Sequence, residues 1–252
     1  MTPFVPRLSF EKEFFSEVDS TNNELIQRLQ KQDLNEGILM QAGFQSGGKG
    51  QGENLWESER EKNLLFSFVL RPTFLDITKQ FFITIITSLA LADTVQLLVV
   101  DDSVKIKWPN DIYVEDKKIA GVLIENAIQG NQFEWVVVGI GLNVNQQVFH
   151  SDVPNPVSLY ELLKEDVSLN EVLSIFEAQF ALRYAQLQSG DYESLKHDYL
   201  ASLYQYKEWK NYRSNNQDFR GRILGIDQYG FLRIETPDGE HSFDVKEVEY
   251  LF

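Results

Sequence analysis

Apolar and polar residues alternate along the chain with two different periods, and these periods predict a mixed α/β protein. Short apolar or alternating runs bounded by turn residues predict strands at 14–18, 37–42, 64–70, 112–114, 119–125 and 133–140. Apolar residues at helical spacing predict helices at 19–32, 78–99, 157–164, 169–188 and 191–204. Asp19, Ser20 or Thr21 is suited to cap the first helix, because each side chain can accept a bond from its first turn.

A change of pattern towards the C-terminus predicts a second, smaller domain. Within 218–252, short alternating segments are separated by the turn signals Tyr229-Gly230 and Pro237-Asp238-Gly239. Closely spaced turns between short strands are typical of a small antiparallel barrel. The sequence therefore predicts a larger domain at 1–207 and a small β-barrel at 208–252.

The longest apolar stretch, 81–100, is interrupted by threonine, serine, aspartate and glutamine. It is therefore predicted to be a core helix and not a membrane span. The sequence does not begin with a basic segment followed by an apolar one, so we expect no signal peptide. These observations favour a cytoplasmic protein that does not enter a membrane.

Composition limits the classes of function that remain. The chain has 252 residues, of which 43% are hydrophobic, and this is enough for a large core. A formal net charge of −15 argues against non-specific nucleic-acid binding, which needs clustered lysine and arginine. The absence of cysteine excludes disulfides, thiolate metal sites and a cysteine nucleophile. The three histidines are too scattered to form a metal-binding motif.

The glycine-rich segment GFQSGGKGQGENLW, residues 43–56, comes within one residue of a phosphate-binding P-loop. Gly50 stands where that motif has serine or threonine, and no apolar helical face follows before Leu64. A dinucleotide-binding GxGxxG also fails, because Glu53 replaces its last glycine. Two interpretations remain: a flexible surface loop, or a loop whose backbone N–H groups surround an anionic ligand.

Two further motifs carry candidate chemistry. In WPND, Pro109 restricts the backbone, so that Asn110 and Asp111 leave the strand end in a defined direction. This motif indicates either a turn with a buried tryptophan or a polar pair that faces a base or a magnesium-bound phosphate. In KKIAGVLIE, strand alternation sends Lys117 and Lys118 to opposite faces, so one of them can point at a ligand.

Taken in order, five motifs resemble those of biotin–protein ligases. They are DSTN (19–22), the Gly-Lys-Gly loop ending in tryptophan (48–56), KWPND (107–111), KKIAGVLIE (117–125) and GIGLNVN (139–145). The resemblance implies the α/β fold shared with class II synthetases, a mixed sheet flanked by helices, followed by an SH3-like barrel. It also implies a two-step reaction. Biotin reacts with Mg-ATP to give biotinyl-5′-AMP, and a lysine of a biotin carboxyl carrier domain then displaces AMP.

The resemblance implies three overlapping sets of site residues. The catalytic set is Lys118, Lys49 and Asp111. The biotin set is Ser20, Thr21, Asn22, Gln45, Gly48, Lys49, Lys118, Gly121 and Gly141. The ATP and adenylate set is Lys49, Gly50, Gln51, Trp56, Asn110, Asp111 and Asn143, in which Asp111 meets the metal indirectly through Mg-ATP.

Electrostatics is consistent with these implied roles. Joining a carboxylate to a polyphosphate brings like charges together, so cations and N–H donors are needed at the reaction centre. Lys118 matches the family's catalytic lysine, which bridges the biotin carboxylate and the α-phosphate, and Lys117 is expected to face away. Gly121 and Gly141 are expected to let the bicyclic ring pack closely, and Trp56 to cover the closed site.

Two loop residues depart from the family pattern. Gln51 stands where many members have a second arginine, and Glu53 stands where glycine is common. Because a neutral glutamine can still donate a hydrogen bond to a phosphate, we expect activity to be retained. Because it lacks the charge of arginine, we expect the intermediate to be held less firmly. Release of biotinyl-AMP no faster than from a relative with arginine there would contradict the second expectation.

The resemblance also bears on partners. Some members carry an N-terminal helix-turn-helix that makes them biotin-sensing repressors, whereas DSTN begins here at residue 19. With the acidic charge, this predicts a ligase that does not bind DNA directly. The family includes monomers and homodimers, and the sequence does not decide between them.

Two alternatives to a biotin ligase remain at this point. A lipoate or octanoate ligase would share the fold, but its ligand lacks a ureido group, so Gln45 and DSTN would have no obvious role. A non-catalytic biotin sensor would follow from a loss of turnover through Gln51 and Glu53. The retention of Lys118 and Asp111 argues against the sensor.

Overall fold

The computed structural model describes residues 8–50, 52, 54–100, 103–150 and 155–251. Within these ranges the larger sheet consists of seven strands: β1 (Glu11–Phe15), β2 (Ile38–Ala42), β3 (Leu64–Leu70), β4 (Val104–Lys107), β5 (Asp111–Val114), β6 (Lys117–Gln129) and β7 (Gln132–Leu142). The helices of the same ranges are α1 (Thr21–Leu29), α2 (Phe81–Leu98), α3 (Leu159–Leu163), α4 (Leu169–Gln188) and α5 (Tyr192–Ser202), with a 3-10 turn at Ile77–Lys79. The C-terminal sheet contains β8 (Trp209–Ser214), β9 (Gln217–Ile226), β10 (Leu232–Thr236), β11 (Gly239–Phe243) and β12 (Glu249–Tyr250).

The larger sheet has the order β1-β2-β3-β7-β6-β5-β4 and is mixed. β1 and β2 run parallel, and the other neighbouring pairs run antiparallel. The central strand β3, LLFSFVL, is buried along its whole length, as expected for a strand that is covered on both faces. Phe66 and Phe68 pack into the main core with α2 and α4, whereas Val69 packs into a smaller cluster with Leu25 of α1. The face of the larger sheet that packs against α1 is therefore less extensively covered than the opposite face.

Most predicted elements form, and the bounds of β3 and α4 agree with the predictions. The prediction for the first strand was wrong in its bounds, because β1 spans Glu11–Phe15 and Val18 makes only an isolated bridge with Gln45. β1 is an edge strand with alternating exposed and half-buried residues, so apolar content does not mark its ends. The predicted helix at 78–99 begins later, at Phe81, because Asp76 caps a separate 3-10 turn through Thr78 N.

The segment Ile77–Leu98 is long and apolar enough to cross a membrane by length and composition alone. Most of it is buried inside the protein, where α2 packs against the larger sheet, α4 and α5. Two of its interrupting polar residues bond within the helix, since Thr87 Oγ1 donates to Ile83 O and Thr94 Oγ1 donates to Ala90 O. α2 is therefore a core helix, as its interrupted apolar pattern predicted.

The C-terminal strands form an antiparallel sheet in the order β11-β10-β9-β8-β12. It is joined to the larger sheet through Trp108, whose Nε1 donates to Gly230 O at 2.9 Å. Gly230 has φ +93° and lies against the ring of Phe81, where a side chain would not fit. The predicted mixed sheet flanked by helices and the predicted C-terminal β domain are both confirmed. The domain bounds 1–207 and 208–252 stay a prediction.

Candidate active site

The α1 face of the larger sheet carries a cavity of about 890 Å³. Its floor is made by neighbouring strands at positions with little or no side chain, namely Gly139 and Gly141 of β7 and Gly121 of β6. The register pairs Gly121 with Gly141, and Gly139 with Leu123. Since α1 covers only one end of this face, the small residues leave a groove along β6 and β7.

Most of the predicted site residues line this one cavity: Ser20, Thr21, Asn22, Gln45, Lys49, Gly50, Trp56, Asn110, Asp111, Lys118, Gly121, Gly141 and Asn143. Gly48 lies just behind the lining, where a Cβ atom would come within 2.7 Å of Trp56 O. Gln51 and Glu53 lie outside the described residues, so the predictions that concern them stay predictions. The fold thus brings together residues that are more than 120 positions apart in the chain.

One end of the groove is a largely buried polar network, whose groups facing the cavity are neutral and are supported by the carboxylate of Glu125. Gln45 Oε1 accepts bonds from Thr21 N at 2.8 Å and from Thr21 Oγ1 at 3.0 Å. Ser67 Oγ lies 2.6 Å from Thr21 Oγ1 and donates to Asn22 Oδ1 at 2.6 Å. Asn22 Nδ2 in turn donates to Glu125 Oε2 at 2.8 Å. A buried set of this kind holds each side chain in one orientation and suits a ligand with several donors and acceptors.

Sequence reasoning missed Ser67, Glu125 and Gly139 in this network. A Cβ atom on Gly139 would meet Asn22, whose Cγ would lie only 2.8 Å away. Ser67 had a visible signal, because it is the single polar residue in the otherwise apolar strand LLFSFVL. Gly139 and Glu125 lie within the motifs GIGLNVN and KKIAGVLIE, but the motifs do not reveal their contacts with Asn22, which depend on the register that places β6 and β7 beside α1.

Further along the groove, a lysine and an aspartate form an ion pair. Lys118 Nζ lies 2.7 Å from Asp111 Oδ1, with the two side chains 20% and 31% exposed. The Lys118 side chain reaches back over Gly121, since its Cε lies 3.5 Å from the place of a Cβ on that glycine. Lys117 is exposed, so the predicted division of this lysine pair between two faces is confirmed.

The glycine-rich segment folds back on itself as a short hairpin over the groove. Lys49 and Leu55 form an antiparallel bridge, and Gly50 N donates to Asn54 O at 2.7 Å. Trp56 N closes the base of the hairpin by donating to Gly48 O at 2.9 Å. The segment is therefore neither a P-loop nor a loose surface loop. Lys49 lies at the exposed rim, where its Nζ donates to Asn23 Oδ1 at 2.8 Å.

Trp56 lies over two of the glycines that were predicted to contact a ligand. Gly121 and Gly141 both lie against the indole of Trp56, and their predicted contact with a ligand stays a prediction. A Cβ atom would come within 3.0 Å of the indole at Gly121 and within 2.7 Å of its Nε1 at Gly141. The indole fills the groove between the polar network and Lys118, and the predicted role of Trp56 as a cover of the closed site stays a prediction. Its buried Nε1 has no hydrogen-bond partner in the described part of the chain.

Two asparagines lie near the Lys118–Asp111 pair. Asn110 Nδ2 donates to Val122 O at 3.1 Å, which fixes the side chain beside β6. Asn143 Nδ2 donates to Val157 O at 3.1 Å, and its buried Oδ1 has no hydrogen-bond partner among the described residues. An unpartnered buried oxygen is costly, so Asn143 presents a strong acceptor to a ligand that brings a donor.

A basic and aromatic wall, also missed by sequence reasoning, closes the far side of the cavity. Lys107 Nζ lies 3.4 Å from Tyr113 Oη and 4.9 Å from the ring centre of Tyr250. Burial lowers the pKa of Lys107, Asp111 opposes this shift, and the positive charge of Lys118 adds to it. Tyr250 belongs to β12, so the C-terminal sheet contributes directly to the cavity.

The groove thus has a neutral polar end, a cationic end and a glycine hairpin over it, as the five motifs together suggested. A model of the biotin/lipoate A/B protein ligase family matches residues 14–143, just over half of the chain. The chain belongs to this family. A second model, the biotin protein ligase C-terminal domain, matches residues 211–248 and so covers most of the C-terminal sheet. The family resemblance of the motifs is confirmed.

Curated relatives in the family span most of the chain. The bifunctional ligase/repressor BirA of Bacillus subtilis is 29% identical over 233 residues, which cover 89% of this chain and 70% of that protein. The biotin–[acetyl-CoA-carboxylase] ligase of Mycobacterium tuberculosis is 26% identical over 230 residues, covering 89% and 74%. The biotin–protein ligase of Homo sapiens is 29% identical over 248 residues, covering 90% of this chain and 32% of that one.

Solved structures of family members share the fold. The biotin protein ligase of Aquifex aeolicus in complex with biotin and ATP superposes with a TM-score of 0.78 and 24% identity. The match covers 95% of this chain and 99% of the other. The Leishmania major enzyme in complex with biotinyl-5-AMP gives a TM-score of 0.64 at 19% identity. These matches establish that both the larger sheet and the C-terminal β domain have the arrangement of the family.

Proposed function

We propose that the chain is an ATP-dependent ligase that attaches biotin to a biotin carboxyl carrier protein. In the first step a carboxylate oxygen of biotin attacks the α-phosphorus of Mg-ATP. The bond from phosphorus to the bridging β-phosphate oxygen breaks, and pyrophosphate leaves with the electron pair. In the second step a carrier lysine amine attacks the biotinyl carbonyl carbon, loses a proton and displaces AMP. The names of the relatives, which are biotin ligases, support this choice of substrates.

The observation that carries the proposal is that the polar network and the Lys118 side chain meet neighbouring positions on the same face of β6. Asn22 Nδ2 reaches Leu123 O at the polar end, and the Lys118 side chain reaches back over Gly121. Residues 121 and 123 are two positions apart on one strand, so their Cα atoms are about 7 Å apart. This spacing suits a small acid whose polar ring binds the neutral network and whose carboxylate binds the ammonium of Lys118. Biotin has a ureido ring at one end and a carboxylate at the other.

The groups beyond Lys118 suit a nucleotide. Asn143 Oδ1 offers an acceptor to the exocyclic amine of adenine, and Lys107 and Lys118 offer positive charge to the phosphates. Their ammonium groups would stabilise the charge that develops on the α-phosphate as the carboxylate adds. This arrangement supports the nucleotide roles proposed for Asn110, Asp111 and Asn143.

Asp111 fits a magnesium ion that arrives with ATP. Magnesium is commonly held by one or two carboxylates together with substrate phosphates, and does not need a cage made by protein alone. Asp111 would hold the ion with the carboxylate oxygen that faces away from Lys118. When bound, the ion neutralises phosphate charge.

We also propose that Trp56 leaves the groove when biotin binds. The indole fills the space over Gly121 and Gly141, between the polar network and Lys118, and a biotin molecule that spans these ends needs the same space. The hairpin that carries Trp56 could then close over the ligand, as the glycines at 48 and 50 would permit. Lys49 would move with it from the rim towards the phosphates.

The cellular location of the chain and its lack of DNA binding are also proposals. We place the ligase in the cytoplasm, in keeping with a core helix α2. We propose that the chain does not bind DNA directly, although some relatives are bifunctional repressors, because its net charge is −15. A gel-shift titration at low salt, in which the chain leaves duplex DNA unshifted at micromolar concentration, is the expected result. A shift would contradict it.

The first step is tested by pyrophosphate release from Mg-ATP in the presence of either biotin or lipoate. We expect release with biotin and none above background with lipoate, because lipoate cannot bond the Gln45–Thr21–Asn22 network through a ureido group. Release with lipoate alone would make the chain a lipoate ligase. Tight biotin binding without pyrophosphate release would make it a sensor.

The polar network is tested by Ser67→Ala. The change removes the hydroxyl that joins Thr21 to Asn22, so both lose a buried partner, and we expect the Kd for biotin to rise about tenfold. Ser88→Ala is the matched control, because Ser88 Oγ on α2 is buried without a hydrogen-bond partner among the described residues. Isothermal titration calorimetry should give the control the parent's affinity. Equal affinity for all three proteins would exclude a role for the network in biotin binding.

A further inference from the structure

Lys246 of the C-terminal sheet domain lies against the tip of the glycine hairpin. A Cβ atom placed on Gly52, which has φ +69°, would collide with Lys246 Nζ and would come within 3.0 Å of its Cε. Lys246 also lines the same cavity as Lys118 and Asp111. The hairpin therefore reaches from the larger sheet across the groove to a lysine of the other domain.

A tight turn aims Lys246 at the cavity. Glu247 N donates to Asp244 O at 3.0 Å, and Asp244 N donates to Glu247 Oε2 at 2.7 Å, which closes the turn from both ends. Within it, Lys246 has φ +74°, a conformation that is costly for a residue with a side chain. Its side chain is exposed and forms no ion pair with the described residues. The turn thus presents to Gly52 an ammonium group that has no ion-pair partner among the described residues.

The direction of the hairpin indicates which part of ATP would meet this ammonium group. The hairpin base lies beside the polar network, since a Cβ on Gly48 would be 3.3 Å from Gln45 Nε2. The hairpin then passes the bridge between Lys49 and Leu55 and ends at Gly52. In phosphoryl transfer the attacking and leaving oxygens lie roughly in line. If the carboxylate arrives from the network side, pyrophosphate departs towards the tip.

The hairpin itself brings no net charge to the groove. Residues 43–56 contain one lysine and one glutamate among their ionisable side chains, so their formal charges cancel. Lys118 is already paired with Asp111. Pyrophosphate is highly charged, and its departure builds negative charge that nearby cations stabilise. Among the groups at the tip, Lys246 is placed to supply that charge.

We propose that Lys246 is a catalytic residue of the first step, which binds the β- and γ-phosphates of ATP and stabilises pyrophosphate as it leaves. The proposal rests on the biotin ligase activity and adds a cation from the C-terminal domain to it. Lys246 takes no part in bond making. Its ammonium group stabilises the negative charge on the bridging oxygen, which takes the electron pair when its bond to the α-phosphorus breaks.

The test compares Lys246→Gln and Lys246→Arg with Lys210→Gln in the full chain. Lys210 is a suitable control, because it lies on the same sheet in an exposed pair with Glu208. With biotin and Mg-ATP, Lys246→Gln is expected to raise the KM for ATP and the inhibition constant of added pyrophosphate about tenfold each. The KM for biotin should stay at the parent's value. Lys246→Arg should restore both parameters, and Lys210→Gln should match the parent.

The outcomes separate this proposal from the activity on which it rests. Unchanged values for ATP and pyrophosphate in Lys246→Gln, with an active parent, would overturn the role of Lys246 and leave the ligase intact. A parent that releases no pyrophosphate with biotin would overturn the ligase itself. In a third outcome, the KM values for biotin and for ATP rise equally in Lys246→Gln and stay high in Lys246→Arg. That result would assign Lys246 a structural role and contradict the proposal.

Discussion

Replacement of Lys118 by alanine is expected to lower the rate of biotin-dependent pyrophosphate release roughly a hundred- to a thousandfold. The ammonium of Lys118 is the cation that reaches back over Gly121 to the middle of the groove. Its loss would leave the biotin carboxylate and the α-phosphate to meet without a bridging charge. It would also leave Asp111, now 2.7 Å from Lys118 Nζ, without this ion pair and closer in effect to the like-charged biotin carboxylate, which it would repel.

Lys117→Ala is the matched control for this change, because Lys117 is the neighbouring lysine but is exposed on the other side of β6. Its rate should match the parent's within a factor of about two. The measurement is single-turnover formation of biotinyl-AMP followed by rapid quench, with folding checked by circular dichroism. If the two variants lose activity equally, Lys118 has no special role and the assignment of the reaction centre is wrong.

Gly139→Ala is expected to raise the Kd for biotin about a hundredfold while leaving the fold intact. The new methyl group would collide with the amide of Asn22, which is the movable end of a side chain and not backbone. Asn22 would be displaced and would lose its bonds with Ser67 and Glu125. Because the polar end of the groove depends on that amide, a ring that binds there would lose its partners.

A double-mutant cycle tests whether the effect of Gly139→Ala acts through Asn22. In an Asn22→Ala background the added methyl group has nothing to displace, so Gly139→Ala should then change the affinity for biotin very little. Calorimetric titration of the four proteins measures the coupling. Effects that add independently, or an unchanged affinity in Gly139→Ala alone, would contradict the proposed biotin end.

The sequence predicted the bounds of those elements in which burial of the element itself fixes the apolar pattern from end to end. β3 is apolar throughout because both of its faces are covered, and α4 is capped by Ser168, so their bounds could be read directly. β1 could not be placed as well, because its alternating exposed residues at the sheet edge carry little apolar signal. α2 was predicted too early, because the residues before it also turn helically, as a separate 3-10 turn that Asp76 caps, and the apolar pattern does not mark the break at Phe81.

The site was predictable only as far as its motifs extend. Lys118 and Asp111 come from short motifs of fixed spacing, and the sheet register brings them together at 2.7 Å. Lys246 carries no motif and reaches the hairpin only because the C-terminal sheet packs beside the groove. The position of the Trp56 indole over Gly141 could not be predicted either, since it depends on how the hairpin folds back. Contacts between distant segments arise from packing, which no local pattern records.

The most direct test of the central claim is the intact mass of a biotin carboxyl carrier domain after incubation with the chain, biotin and Mg-ATP. We predict a mass increase of one biotinyl group on a single carrier lysine, dependent on ATP and absent when Lys118→Ala replaces the parent. A carrier domain that keeps its original mass, although the chain binds biotin tightly, would contradict the account.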